Sequence, residues 1–426
     1  MSLATIGFFG CAVLVVVTTL RSGVDAFSPG RVFLFVWCMA LGLTDLKYSA
    51  LQTEWTVESW IKVVLGPLSL LTGVFIVNVL HLNSPVLTLP QVRARWRDTK
   101  VDTKRLYIAV CSVFAFYAIG YLAIFLYKGF IPLFLEHGGS FRSEFQMFGL
   151  GMSIQSMPIV VFFTTAYVLL EKGHKLRRLA AIGMSTIAVV TFLFLLQRFQ
   201  VILVGVMCLT LLYYTTRHVR LSTVLVALSF ATLFFYWVSG LRGGQLFMHF
   251  LYVESKMRFP AAYAFFTEPY MYLVMNIENL ARSVEMVDRH TYGLYTFDFL
   301  GALTGLKHWT REYFGLNDTP YLVSAYNTYT AFWTYYRDFG VFGITVIPLA
   351  LGVGAGTVYH GMRKNPTLPR ITAYAIVLFV LLISFFNSPT SFLWFMWIMV
   401  VMYVILRVTV VTDQGPGTAE DLSYVD

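Results

Sequence analysis

Five arginines sit where they could grip an anionic substrate. Arg198 lies in Leu195-Leu196-Gln197-Arg198-Phe199, between two apolar runs joined too tightly for a real loop. Arg142 lies in Ser140-Phe141-Arg142-Ser143-Glu144, downstream of Gly129-Phe130-Ile131-Pro132-Leu133. Arg242 stands between Gly240 and the pair Gly243-Gly244, while Arg258 and Arg282 follow in the same stretch. A guanidinium binds phosphate oxygens bidentately and stays charged at any relevant pH. Neighbouring glycines let backbone N–H groups approach the same anion. Clustered on one face, such residues suit a diphosphate. Singly, each has a plainer role: Arg198 snorkelling to headgroups, Arg242 in a flexible span exit, Arg142 paired with Glu144, and Arg258 and Arg282 as headgroup contacts.

A transfer reaction on that ligand also needs a group to accept a proton. Candidates are Glu136, His137, Glu144, Glu254, Glu278, Asp288, His290, Asp298, Asp318 and Asp338. Asp338 stands out, in Tyr335-Tyr336-Arg337-Asp338-Phe339-Gly340, although an aspartate at a helix mouth also serves as an N-terminal cap. Trp309, Tyr313, Tyr321, Tyr326, Tyr329, Trp333, Tyr335 and Tyr336 suit stacking on sugar rings, and suit a membrane-interface belt equally well. The sequence has no His/Cys metal cluster, no G-x-S-x-G, no P-loop and no Asp-x-Asp between 241 and 339. No metal or other cofactor is expected, which leaves charge neutralisation to the arginines. Cys11, Cys38, Cys111 and Cys208 fall inside apolar runs and read as small fillers.

The elements that must position these residues are membrane helices. Of 426 residues, 58% are hydrophobic and 12% charged, against about 25% charged in soluble chains. Runs of about 20 apolar residues, each able to cross a hydrocarbon core as a helix, recur along the chain. This composition belongs to an all-α polytopic membrane protein. We place eleven spans near 4–20, 32–48, 61–81, 105–127, 151–170, 178–196, 199–216, 223–240, 340–360, 371–387 and 391–411. One set of connectors is rich in Lys and Arg (93–105, 172–178, 217–220 and 363–370), and the alternate set is nearly bare. The basic set is expected on the cytoplasmic side, with the N-terminus outside and the C-terminus inside. The net charge of +9 thus reports orientation and gives no reason to invoke nucleic acid. Four regions follow: 1–240 with eight spans, 241–339 outside, 340–412 with three spans, and a cytoplasmic tail at 413–426. Within the outer region, 263–287 is expected to form an amphipathic helix lying at the membrane interface.

Tyr326-Asn327-Thr328-Tyr329-Thr330, then Asp338-Phe339-Gly340 and Gly343 leading into a span, resemble the bacterial oligosaccharide repeat-unit polymerases (Wzy-type, O-antigen polymerase-like). Gly129-Phe130-Ile131-Pro132-Leu133 followed by Arg142, the hairpin arginine Arg198, and the general layout of spans support the likeness. Family members commonly carry small residues beside the hairpin arginine, whereas Gln197 and Phe199 flank Arg198 here.

The resemblance implies a metal-independent glycosyltransferase of the bacterial inner membrane, active at its outer face. It would move a growing chain from undecaprenyl diphosphate onto the non-reducing end of a new lipid-linked repeat. Membrane lipids, a flippase and a chain-length regulator are the expected partners. Arg142, Arg198 and Arg242 would hold the diphosphates, with Arg258 and Arg282 in support. Asp338 or Glu254 would be the base, and Asn327, Tyr326, Tyr329 and Tyr335 would hold sugar. The chemistry is coherent, because arginines at the interface can stabilise a departing lipid diphosphate while a carboxylate takes the hydroxyl proton. An O-antigen ligase would use the same donor with a different acceptor. A flippase or transporter would need a polar path at mid-membrane, and few charges lie within the expected spans.

Overall fold

The computed structural model describes residues 2–21, 23–84, 86–96, 100–135, 141–147, 149–217, 219, 240, 248–287, 289–313 and 326–411. Residues 223–239 of the expected span 223–240 and Arg242 fall outside that description, as do Glu136, His137, Asp288, Asp318, Tyr321 and the side chains of His308, Arg311 and Glu312. Helices occupy the remaining expected spans: α1 (Leu3–Thr19), α2 (Pro29–Asp45), α3 (Val57–Leu80), α4 (Leu89–Arg95), α5 (Thr103–Lys128), α6 (Gly151–Ile154), α7 (Met157–Leu170), α8 (Lys175–Leu193), α9 (Phe199–Thr215), α10 (Thr267–Met286), α11 (Asp298–Thr304), α12 (Lys307–Tyr313), α13 (Ala331–Lys364), α14 (Leu368–Ile383) and α15 (Leu393–Thr409). Five are long and apolar enough to cross a membrane, namely α3, α5, α6 with α7, α8 and α13. Four shorter apolar helices are α1, α9, α14 and α15. Among the described residues, length and composition therefore support five crossings, and the expected count of eleven is not confirmed. Hydroxyls inside these apolar helices satisfy themselves by donating one turn back, as Thr165 does to Val161 O (2.9 Å) and Thr372 to Leu368 O (2.8 Å).

The connectors sort to two ends of the bundle as their alternation requires. At one end Leu87 N–H donates to Arg363 O, Asp102 N–H to Thr409 O, and Arg93 Nε to Tyr213 O. At the other, Leu133 N–H donates to Phe194 O, Ala50 N–H to Lys256 O, and Ala331 N–H to Ser384 O. We call these the Arg363 end and the Arg198 end.

The amphipathic helix expected at the interface is instead sunk among the helix tips of the Arg198 end. α10 packs on α2 and α3, and its Glu268, Asn276, Glu278, Asn279 and Ser283 are buried. Its polar face meets loops rather than water or headgroups. Glu278, fully buried, accepts from Thr53 N (2.8 Å), Thr53 Oγ1 (2.9 Å) and Trp55 Nε1 (3.0 Å), with Lys47 Nζ 3.8 Å away. On the opposite flank, Asn279 Nδ2 donates to Thr328 O (3.0 Å) and Trp333 Nε1 donates to Ser283 Oγ (2.9 Å).

The closest helix approach is between α3 and α13. A Cβ on Gly73 would run into Leu349 O, one on Gly352 into Leu70 O, and one on Gly66 would lie 2.7 Å from the Phe332 ring. Small residues are what allow backbones this near within lipid, where no hydrophobic force drives helices together. Gly354, two residues along, has open space around it. Replacing Gly354 by Ala should leave melting in detergent unchanged or slightly raised. Gly352→Ala should lower it by the equivalent of about 1–3 kcal/mol, the usual cost of overpacking. Equal melting of the two variants would disprove the seam.

Candidate functional site

Arg198 is presented by a strained hairpin. α8 and α9 are joined through Leu195, Leu196, Gln197 and Arg198, and Leu196 takes φ 56°, the left-handed region that a bulky residue avoids. The other non-glycine residues with positive φ are Lys47, Lys256 and Tyr292. All lie at this end: Lys256 O accepts from Ala50 N, and Tyr292 N–H donates to Asp338 O. Among the described residues, backbone strain of this kind therefore sits entirely where the sequence points to chemistry.

The hairpin delivers Arg198 to a partner that sequence reasoning passed over. Arg198 Nη1 lies 3.1 Å from Glu268 Oε1, and their side chains are only 13% and 7% exposed. Glu268 stands in the first turn of α10, beside the buried Thr267 hydroxyl, which has no hydrogen-bond partner. The Tyr326 phenol is pushed above its ordinary value by burial and then by the nearby Glu268 charge, so it remains a neutral hydroxyl beside the pair. Thr267-Glu268-Pro269 at the start of an amphipathic run was the available signal; the contact across seventy residues was not.

Arg258 and Arg282 are engaged elsewhere. Arg258 is exposed, and its Nη1 donates to Lys47 O (3.1 Å) while its N–H donates to Tyr48 O (2.8 Å), which straps it to the 47–56 loop. Arg282 is exposed, with Nε directed at Met286 Sδ. It stands fourteen residues beyond Glu268 on one helix, about 21 Å at 1.5 Å per residue, too far to share one diphosphate with that turn. Arg142 is exposed near the mouth of α5, beside exposed Glu144.

Asp338 is placed as an anchor. It is fully buried and accepts from Thr291 Oγ1, Tyr295 N (3.2 Å) and Thr296 N (2.6 Å), so both oxygens are occupied in tying the 291–296 loop to α13. It is neither the N-cap of α13, a role Thr330 fills, nor a partner of Arg337, which donates to Arg289 O (3.2 Å). Two residues on, Gly340 breaks the helix with φ 60° and ψ −143°. A Cβ there would lie 2.8 Å from His290 Nε2, so only glycine fits the joint. The segment that carries the family likeness thus builds a bend between a buried helical foot and the span.

Glu254 is exposed. The tyrosines expected to hold sugar are buried: Tyr329 stacks on Trp333 at 4.0 Å, Tyr326 meets Tyr272 edge-on, and Tyr335 is enclosed. Their rings are taken by protein. Asn327 is exposed, and the exposed aromatic rings of this region include Tyr263, Tyr292, Trp309 and Tyr313. A cavity of about 290 Å³ opens among Tyr292, Tyr295, Leu300 and the Asp298–Lys307 ion pair (2.6 Å).

No family model, curated protein or solved structure matches this chain. The likeness to repeat-unit polymerases rests on the motif residues themselves.

If Asp338 is an anchor, Asp338→Asn should destabilise the protein by roughly 1–3 kcal/mol through stranded loop amides. Hydrogen exchange should quicken at residues 291–296. Unchanged melting and exchange, together with lost activity, would return Asp338 to the role of base.

Proposed function

We propose that this protein is a membrane glycosyltransferase that polymerises lipid-diphosphate-linked oligosaccharides. The Arg198 end would face outward, the N-terminus would be outside and the C-terminus inside. The observation that carries the reading is the half-buried Arg198 guanidinium, held at the tips of apolar helices by a strained hairpin and matched to a carboxylate. A lipid diphosphate arrives at the interface with its charge at that depth. A guanidinium partly withdrawn from water is worth more to a developing anion than an exposed one. The polymerase-like segment 326–343 supplies the second support.

The roles narrow accordingly. Arg198 is the diphosphate-binding residue. Glu268 replaces Asp338 and Glu254 as the carboxylate beside the reaction. Arg142 and Arg242 stay as candidates for the second lipid diphosphate, and Asn327 for sugar.

The test is reconstitution. Purified protein in liposomes with undecaprenyl-diphosphate-linked repeats should yield longer chains and free undecaprenyl diphosphate. Arg198→Ala should slow this at least about 100-fold, as loss of one transition-state donor does. Movement of lipid-linked sugar across the bilayer without elongation would identify a flippase instead. Transfer only onto a lipid A-core acceptor would identify a ligase.

A further inference from the structure

Among the described residues, three carboxylates are buried at the Arg198 end, and they are not equivalent. Asp338 and Glu278 each have both oxygens engaged, by loop amides, hydroxyls, an indole and a lysine. Glu268 has Oε1 on Arg198, and Oε2 accepts no hydrogen bond from any described residue. Unlike the enclosed Thr267 Oγ1, Oε2 keeps some exposure, so the carboxylate is free to change partner. The pair is also neutral as it stands. A diphosphate cannot occupy Arg198 beside an ionised Glu268 without strong repulsion at short range in a poorly solvated place. One anion has to yield.

The geometry says which side moves. Arg198 is fixed by the tight turn through Leu196. Glu268 sits in the first turn of α10, which the Tyr270 hydroxyl ties to Tyr48 N–H and Gln52 Oε1, so its release is a rotation of the side chain and not a movement of the turn.

We propose that the Arg198–Glu268 ion pair is a latch that the donor's diphosphate opens. Phosphate oxygens take the guanidinium, and Glu268 is released as a free carboxylate within reach of the reacting sugars. The acceptor hydroxyl oxygen then bonds to the anomeric carbon as the bond from that carbon to the diphosphate breaks. The leaving diphosphate keeps the electron pair beside Arg198, and the hydroxyl proton passes to Glu268. The base is thereby unmasked only when donor is bound, which guards against unproductive chemistry on acceptor alone. This step rests on the glycosyl-transfer reading; the opening of the latch by diphosphate does not.

The two are separated by measuring binding and turnover on the same full-length protein in lipid nanodiscs, with radiolabelled undecaprenyl diphosphate as the binding probe. Glu268→Gln removes the competing charge and should bind the probe about 3- to 10-fold more tightly, the scale of a released ion pair, while making little polymer. Arg198→Ala should bind it more weakly. Glu268→Asp, a shorter carboxylate that strains the pair but keeps a base, should also bind more tightly and retain partial turnover; it carries the test if the glutamine variant fails to fold. Unchanged or weaker binding in both Glu268 variants would show a plain strut and overturn the latch. Tighter binding with no elongation by the wild-type protein would keep the latch and remove the glycosyl-transfer reading. Elongation by wild type with unaltered binding in the variants would do the reverse.

Discussion

The backbone-to-backbone approach of α3 and α13 is the constraint on which the rest depends. α13 runs the whole length of the bundle, with Thr330 and Asp338 near one end and Arg363 near the other. Its position against α3 is set by glycines on both helices, where any side chain would meet a carbonyl. In lipid, apolar side chains gain little by leaving solvent, so such close contact must do the work that burial does in water. Once α13 is fixed, its foot fixes the 291–296 loop through Asp338. Trp333 and Tyr336 then fix α10, by bonds to Ser283 and to Val284 O. The site is positioned by a chain of contacts that begins at the seam.

Charges at both ends follow one rule, and the site is its exception. At the Arg363 end, Arg363 Nη1 lies 2.5 Å from Asp25 Oδ2, which also accepts from the hydroxyls of Tyr214 and Tyr359 (2.9 Å each). Leu87 O takes the rest of the guanidinium, through Nε and Nη2. Glu278 and Asp338 are enclosed just as fully at the Arg198 end. Buried charge is tolerated when every lone pair and proton has a partner, and removing one partner costs about 3–5 kcal/mol. These groups are rivets. Arg198–Glu268 shares their burial, but Glu268 Oε2, unlike the oxygens of Glu278 and Asp338, accepts no hydrogen bond from a described residue.

What could be read from the sequence was the part governed by local rules. Uninterrupted apolar runs give helices wherever the described residues include them, and alternating Lys and Arg sort the connectors into sets that the structure places at opposite ends. Gly352-x-x-x-Gly356 was readable as a packing surface and was not used. The errors share a cause. The moment of 263–287 is real, but a polar face can be met by loops as well as by water, and Glu278 and Asn279 are met by loops. Asp338 obeys no local capping rule because its donors come from residues more than forty positions earlier. Tyr329 and Tyr335 look like sugar platforms until Trp333 and the neighbouring helices cover them. Glu268 could not be paired with Arg198 without the fold.

The strain at this end bears on which parts can move. Lys47, Leu196, Lys256 and Tyr292 hold backbone angles that cost about 1–3 kcal/mol each, and such angles persist only where the surroundings over-determine them. The 47–48 carbonyls bound by Arg258, and Thr291 and Tyr292 bonded to α13, meet that condition. These turns are stiff. The first turn of α10 is tied down as well, by the Tyr270 hydroxyl, which accepts from Tyr48 N–H (3.0 Å) and bonds to Gln52 Oε1 (2.8 Å), while its Glu268 is held by the ion pair to Arg198. With the backbone held on both sides of the pair, only the side chains are left to part, and ligand charge rather than thermal opening decides when they do.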